Sequence, residues 1–466
     1  MKKQSRTPPG FSLAGLGAAI LLLGNIGGLA PAFAQNSVRN STHEPEAAKK
    51  ETTEDKGRNR WMMRGRAAPA GQSPAALRLR AHQQKMAARA ARNRFAAQAA
   101  TPWVPLGPAP LISDQGSYGA VSGRATSVAI DPSDATGNTV YVAGASAGVW
   151  KSTNAASVPA ASVAWTPLTD QQPSLVNGAV SVKPDGSVVL VGTGEPDNAI
   201  DSYYGVGILR STNQGSSWSL ISSATGNNPA LSFAGLGFSN FAWSTAPPTT
   251  VVAATATTTR GFDDGDITTS TNRGLYYSSD SGQTWSFQLP LDAGVPISPA
   301  SISATDVVYN AAAGLFFAAI RYHGLYSSPN GQNWTRLANQ PNPTNLSTAN
   351  CPAQIPLGGS TCPIYRGQLS VVPGRQEMYF WFISLVADGG GEDVVDGGIW
   401  RSTDAGNSWS QIDETGIANC GDPGNNGCGV ERGYYNLRIT SVPDGQATDL
   451  YAGAVNLFKC QLTNGA

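Results

Sequence analysis

The stretch SSDSGQTW at residues 278–285 returns along the chain and decides the fold. STDAGNSW repeats it at 402–409, and STNQGSSW at 211–218 keeps it with Asn213 in place of the aspartate. A more divergent copy, SSPNGQNW, occupies 327–334. The shared form, S-x-D/N-x-G-x-x-W, follows a short strand-like run such as GLYYS (274–278) or GIWRS (398–402). Repetition at about 40–75 residues is the mark of a propeller or array.

The residue types explain the repeat. An Asp or Asn side chain accepts backbone N–H groups just ahead of it and closes a tight turn. The glycine two positions later permits positive φ, and the tryptophan opens the next strand with a large face to bury. Asn213, Asp280 and Asp404 therefore read as structural turn residues rather than catalytic ones.

Working outward, RATSVAI (124–130), TVYVAGA (139–145), GVWKS (148–152) and WTPL (165–168) are four short β-rich runs separated by turn residues. This is the make-up of a four-stranded blade. Further blades follow at about 177–221, 230–290, 303–338 and 366–412, and a sixth starts at Tyr434 with three strand-like runs. The predicted fold is an all-β propeller of about six blades over residues 101–466. The last blade is either closed by the N-terminal run Trp103-Val104-Pro105-Leu106 or continued in a longer chain, and both readings stay open.

The rest of the chain has a different character. Residues 1–34 have a basic start (Lys2, Lys3, Arg6), an apolar run and Ala32-Phe33-Ala34 before Gln35, the pattern of a cleaved signal peptide. The expected location is secreted or periplasmic, with no membrane-spanning segment after cleavage. Residues 35–100 read as a disordered to helical basic pro-segment or linker, with one Ala- and Arg-rich helix expected in 75–95. It serves either as an arm touching the acidic propeller or an anionic envelope surface, or as a solvated spacer. The first 100 residues hold 17 Lys and Arg against 5 Asp and Glu; the remainder hold 14 against 26. An acidic propeller argues against nucleic acid as its partner.

Of five cysteines, Cys351–Cys362 and Cys420–Cys428 are the economical local bridges in an exported chain, leaving Cys460 over. A ring closed by the Trp103 run should bury Cys460; a continued chain should expose it. No C-x-x-C pair accompanies His323, so zinc is not indicated.

The S-x-D-x-G-x-x-W copies resemble the Asp-box, or BNR, repeats of the sialidase, xyloglucanase and sortilin-type propellers. Residues 123–153 and 191–212 look like those of bacterial exported BNR-repeat proteins, often described as sialidase-like or glycosyl hydrolase-like. The resemblance implies the propeller fold over about 103–460. Two departures bear on activity. The F/Y-R-I-P segment that supplies a sialidase arginine is missing, and the T-D-x-G-G tract of the xyloglucanases is replaced by GASAG (144–148), with Ser146 where the acid would stand.

Candidate function then rests with the long polar loops between second and third strands and between blades, which gather on one face. Glu195, Asp197, Asp201, Glu392 and Asp393 are candidates for an acid/base pair in glycoside cleavage. Tyr203, Tyr204, Arg260, Arg321, His323, Glu431 and Tyr434 are candidates for ligand contact. Asp263, Asp264, Asp266, Asp388, Asp393 and Asp396, interleaved with glycine, suit calcium; no other cofactor is implied. The leading expectation is an exported propeller that binds an extracellular polysaccharide or protein. The alternatives are a glycoside hydrolase of unassigned specificity and an assembly factor of the photosystem-assembly type.

Overall fold

The computed structural model describes residues 68–69, 72–93, 111–112, 120–121, 123–197, 202–258, 272–298, 303–355, 361–387, 392–418, 430, 433–454 and 456–463. Its described strands form six blades arranged as a propeller. Blade one runs Ala125–Ile130, Val140–Gly144, Val149–Ser152 and Thr166–Pro167; blade two runs Asn177–Val182, Val189–Thr193, Ile208–Ser211 and Ser219–Ile221. Blades three, four and five begin with Leu236–Trp243, Ala304–Asn310 and Arg366–Val371. Each of these pairs its strands antiparallel in chain order, inner strand first. Blade six has three described strands, Arg438–Asp444, Ala447–Gly453 and Leu457–Leu462.

The core is a series of layers between neighbouring blades. Val180, Val189 and Leu209 of blade two pack on Tyr141 and Val149 of blade one. Leu190 and Ile208 meet Phe238, Tyr276 and Trp285 of blade three. Further layers join blades three and four, four and five, and five and six. The second strands of blades two and three are therefore buried on both faces: every residue of Val189–Thr193 and of Val251–Thr257 is buried. Fourth strands such as Ser410–Gln411 are exposed.

The inner strands share a device. Their ladders slip by one residue at Thr126, Gly178, Ser239 and Thr305 in blades one to four, a bulge that adds twist. The hydroxyl freed there reaches the next blade: Thr126 Oγ1 donates to Asn177 O at 2.9 Å, Ser239 Oγ to Ala304 O at 2.8 Å and Thr305 Oγ1 to Gly367 O at 2.9 Å. Gly178 has no hydroxyl, and a Cβ there would fall 2.2 Å from the Phe238 carbonyl oxygen. Blades two and three meet there backbone to backbone.

The repeat turns sit at the opposite end from the long loops. Asp404 Oδ1 accepts from Ser402 Oγ at 2.8 Å and from Ser408 N at 2.8 Å, and Ser402 Oγ accepts Gly406 N at 2.8 Å. Asp280 and Asn213 repeat the pattern with Ser278 and Ser211. Trp285 and Trp334 are buried, each closing its own turn through Nε1 to Gly282 O and Gly331 O. In the fourth copy the serine is Ser328, not Ser327: Ser328 Oγ donates to Asn330 Oδ1 at 3.1 Å, so this turn is one residue shorter. Blade one holds a further copy that the pattern missed. Ser152 Oγ donates to Asn154 Oδ1, which accepts Ala164 N at 2.9 Å after a long insertion.

Cys351–Cys362 is bridged, and both residues are buried in the layer between blades four and five. Cys460 is exposed. Arg438 Nη2 of blade six donates to Thr126 O of blade one at 3.2 Å, so the ring makes contact there without covering the outermost strand that carries Cys460. The expected signal segment, the Trp103 run and the expected Cys420–Cys428 bridge lie outside the described residues.

The expected basic helix spans Pro74–Asn93. Ser73 caps it by accepting Ala76 N at 3.1 Å, and Pro74 takes the first position, where its missing N–H costs nothing. Its first turn packs on the propeller: Ala75 is buried with Tyr204 and Val206. No described helix is long and apolar enough to cross a membrane.

Candidate functional site at the channel mouth

In an antiparallel blade, the start of the first strand and the end of the second lie at the same end of the ring. Residues remote in sequence therefore meet at the mouth of the channel. Arg124 precedes the first strand of blade one, and Arg366 and Arg438 open those of blades five and six. Arg321 follows the second strand of blade four, and Glu195 and Asp197 follow that of blade two.

These six side chains form a charged hub. Arg124 Nη2 lies 2.8 Å from Glu195 Oε2, and Arg366 Nη2 lies 2.7 Å from Asp197 Oδ1. Arg438 Nη2 approaches Asp197 Oδ2 at 3.6 Å. Both carboxylates and Arg366 are buried, whereas the side chains of Arg124 and Arg438 remain 34% and 39% exposed. Burial draws the Arg366 guanidinium down to about 10, and Asp197 opposes that shift. Arg321 Nε donates to Tyr365 O at 2.8 Å, and its guanidinium lies 4.3 Å from the Tyr365 ring centre, a cation–π contact. Asp197, Arg321 and Arg366 also border a cavity of about 10 Å³, room for about one water.

Below the mouth runs a channel of about 620 Å³ walled by the first strands of all six blades. Ser127, Ser181, Asn240, Asp306, Gln368 and Arg438 give it a polar lining. Asp306 is braced by Asn240 Nδ2 at 2.9 Å, Val307 N at 2.8 Å and Leu369 N at 2.8 Å. Burial pushes its carboxyl up, and these donors oppose the shift only in part.

The structure brings together some of the sequence candidates and separates others. Glu195, Asp197 and Arg321 meet at the mouth, and Tyr434 joins them through its carbonyl, which accepts Arg366 Nη1 at 3.1 Å. Tyr203 and Tyr204 form a ledge under the basic helix, with Arg78 5.0 Å above the Tyr204 ring centre. His323 is a correction. It sits in the three-residue turn between Leu315–Ile320 and Gly324–Ser328, fully buried, and burial lowers its imidazole to about 4. It does not reach the loop surface.

Glu392 and Asp393, expected in a loop, belong to a strand. Blade five extends its second and third strands to Met378–Ala387 and Glu392–Ser402, because the β-branched pair Val394–Val395 carries the ladder outward. Asp396 accepts Trp381 Nε1 at 3.0 Å and Gly398 N at 2.9 Å. Among the described residues no group of three or more His, Cys, Asp or Glu is placed to hold a metal ion. Asp201, Arg260, Asp263, Asp264, Asp266, Asp388 and Glu431 lie outside the described residues.

Sequence reasoning missed Arg124, Arg366 and Arg438. Each is a lone arginine at or one step before the start of a blade's first strand, and the signal was available: the placement recurs in blades one, five and six. It also missed Glu414, whose Oε2 accepts Ile399 N at 3.0 Å and whose carboxyl is pushed up to about 7 by burial, with the charge of Asp396 adding to it.

No protein-family model and no curated protein matches the chain. Among solved structures, an ancestral GH74 enzyme is similar over 78% of this chain and 38% of its own, at 21% identity and a TM-score of 0.49. A GH74 enzyme of Niastella koreensis is similar over 73% and 37%, at 14% identity and a TM-score of 0.41. The RRP9 WD40 repeats are similar over 74% and 82%, at 11% identity and a TM-score of 0.37. The chain spans under two fifths of the length of the two GH74 enzymes.

Proposed function

We propose that the protein is an exported propeller of the Asp-box kind that binds an extracellular ligand, a glycan, at the channel mouth. One observation carries this reading. Arg124 and Arg438 are each exposed on one side and braced on the other by a buried carboxylate, Glu195 or Asp197. A guanidinium held in place presents a fixed fork of donors and loses little freedom when it meets neighbouring sugar hydroxyls. The hydroxyl and amide groups of the channel wall extend the same chemistry inward. The buried Cys351–Cys362 bridge supports an oxidising location.

Binding is favoured over bond cleavage. Glu195 and Asp197 are engaged by arginines and buried behind them, which suits bracing better than proton transfer to a substrate. The test is a glycan panel followed by structure determination of a complex. Arg124→Ala and Arg438→Ala should each weaken the bound glycan while the protein stays folded. A glycan found instead at the turns around Asp280 and Asp404 sinks the reading.

A further inference from the structure

The helix Pro74–Asn93 is seated at its front and bare over most of its length. Pro74 and Ala75 are buried, and Ala75 packs with Tyr204 and Val206, with Tyr203 at the side of the cluster. Arg78 lies over both tyrosine rings, 6.0 and 5.0 Å from the centres of Tyr203 and Tyr204. Every residue from Gln83 to Ala91 is exposed. Among the described residues, the one side-chain hydrogen bond from that stretch to the propeller is Arg89 to Gln171, on the connection leaving blade one.

What the first turn covers belongs to the loop of the channel mouth. Tyr203 O accepts Glu195 N at 3.0 Å, and Glu195 is the carboxylate that braces Arg124. The helix thus sits on an aromatic ledge at the rim of the mouth, with Tyr204 7% exposed beneath it.

Chain direction sets what a cut in the bare stretch does. The seated turn precedes Gln83–Ala91 and the propeller follows it, so the seat is joined to the propeller through that stretch. A protease takes its site in extended form, and a helix opens most readily where nothing is buried and few contacts are lost. A cut before Arg89 leaves Arg89 with the propeller and puts the seat on a separate piece. That piece keeps about three turns of helix, too few to stay helical alone. Its docking is also no longer intramolecular, so its effective concentration at the ledge collapses.

We propose that Gln83–Ala91 is a processing site for an endopeptidase that cleaves after a basic residue, with Lys85 at the cut, and that cleavage uncovers the Tyr203–Tyr204 ledge. The stretch is otherwise Ala, Gln and Met apart from Arg89. Arg89 is engaged by Gln171, whereas among the described residues no hydrogen bond or ion pair holds Lys85. Water adds across the Lys85–Met86 peptide bond, its hydroxyl going to the Lys85 carbonyl carbon and its proton to the Met86 nitrogen.

A lysine-specific endoprotease acting on the full-length protein tests this, because Lys85 is the one lysine of the helix. In the propeller, Lys151 and Lys459 lie in paired strands and Lys183 is buried. Cuts at Lys49, Lys50 or Lys56 precede the seated turn and leave it attached. Mass spectrometry should find Lys85 cut before any propeller lysine, and the piece ending at Lys85 should leave the propeller in native gel filtration. Nitration of Tyr203 and Tyr204 by tetranitromethane should then rise about tenfold or more, as for side chains passing from a covered to an open state. Lys85→Gln, a change at an exposed position, should block both the release and the rise. The proposal is overturned if Lys85 is cut no faster than the propeller lysines, if the cut piece stays seated, if nitration does not change, or if Lys85→Gln releases the piece all the same. Melting curves before and after cutting check that the propeller is intact. None of these readouts involves a ligand of the mouth, so failure here leaves the glycan reading standing.

Discussion

Arg366 Nη2 of blade five lies 2.7 Å from Asp197 Oδ1 of blade two, an ion pair that joins blades facing each other across the channel. Both groups are buried, so neither can turn to water if the other is lost. Asp197→Ala should therefore destabilise the protein by about 3–5 kcal/mol, the range for stranding one member of a buried pair. Asp197→Ala combined with Arg366→Met should recover much of that loss. Thermal or denaturant unfolding measures both, and a single variant that melts like the parent contradicts the account.

The repeat turns predict a smaller, local effect. Asp404→Ala removes the acceptor for Ser408 N and Ser402 Oγ and should cost about 1–3 kcal/mol, with glycan binding unchanged in the folded protein. For Asp280 and Asp404, burial works to raise the carboxyl, but hydrogen bonds from Thr284 and Ser408 outweigh it and hold both below the usual range. A depressed carboxyl gives stability above its unfolded value, lost as pH falls through the folded one. The turns should thus weaken only on the acid side of about pH 4, a loss that an Asp280→Asn, Asp404→Asn variant should not show.

Glu414 predicts the opposite slope. Burial first, then the charge of Asp396, pushes it up to about 7, while Ile399 N and Gln411 oppose the shift and Asp413 adds to it. Between about 4.5, its ordinary value, and about 7, the folded state holds more protons than the unfolded state. Stability from this group must fall as pH rises through that window. Glu414→Gln should flatten the melting temperature between pH 5 and 8 and raise it at pH 8. A parental profile in the variant would falsify the assignment.

The cysteines separate cleanly. Replacing Cys351 and Cys362 by alanine should cost about 2–3 kcal/mol, as expected for a short cross-linked loop. Cys460 is exposed and should react with a thiol reagent without denaturant, its labelled peptide identified by mass spectrometry. A Cys460 peptide that labels only after unfolding would contradict its placement.

How much of this was legible beforehand follows from what each residue does locally. The blades were readable because Ser278, Asp280, Gly282 and Trp285 act within a few positions of one another, and a turn leaves its chemistry in consecutive letters. The copy at Ser152 and Asn154 escaped because its closing partner, Ala164, lies beyond an insertion. The fourth turn was recognised, but its register was not, because Ser327 and Ser328 are adjacent. The channel mouth was half legible. Glu195 and Asp197 stood out in a polar loop, but the arginines that give them a role come from blades one, five and six. That meeting is made by ring closure, which no window of sequence contains.

The join between blades one and six differs from the other five. At the mouth it is held by Arg438 on the Thr126 carbonyl. Further along the same inner strands, Val128, Ile130 and Val442 stay 61%, 60% and 43% exposed. Among the described residues no buried apolar layer lies between these two blades, whereas one lies at each of the other five joins. Amide exchange along Arg438–Asp444 should therefore run faster than along the doubly buried strands Val189–Thr193 and Val251–Thr257, which hydrogen–deuterium exchange would show.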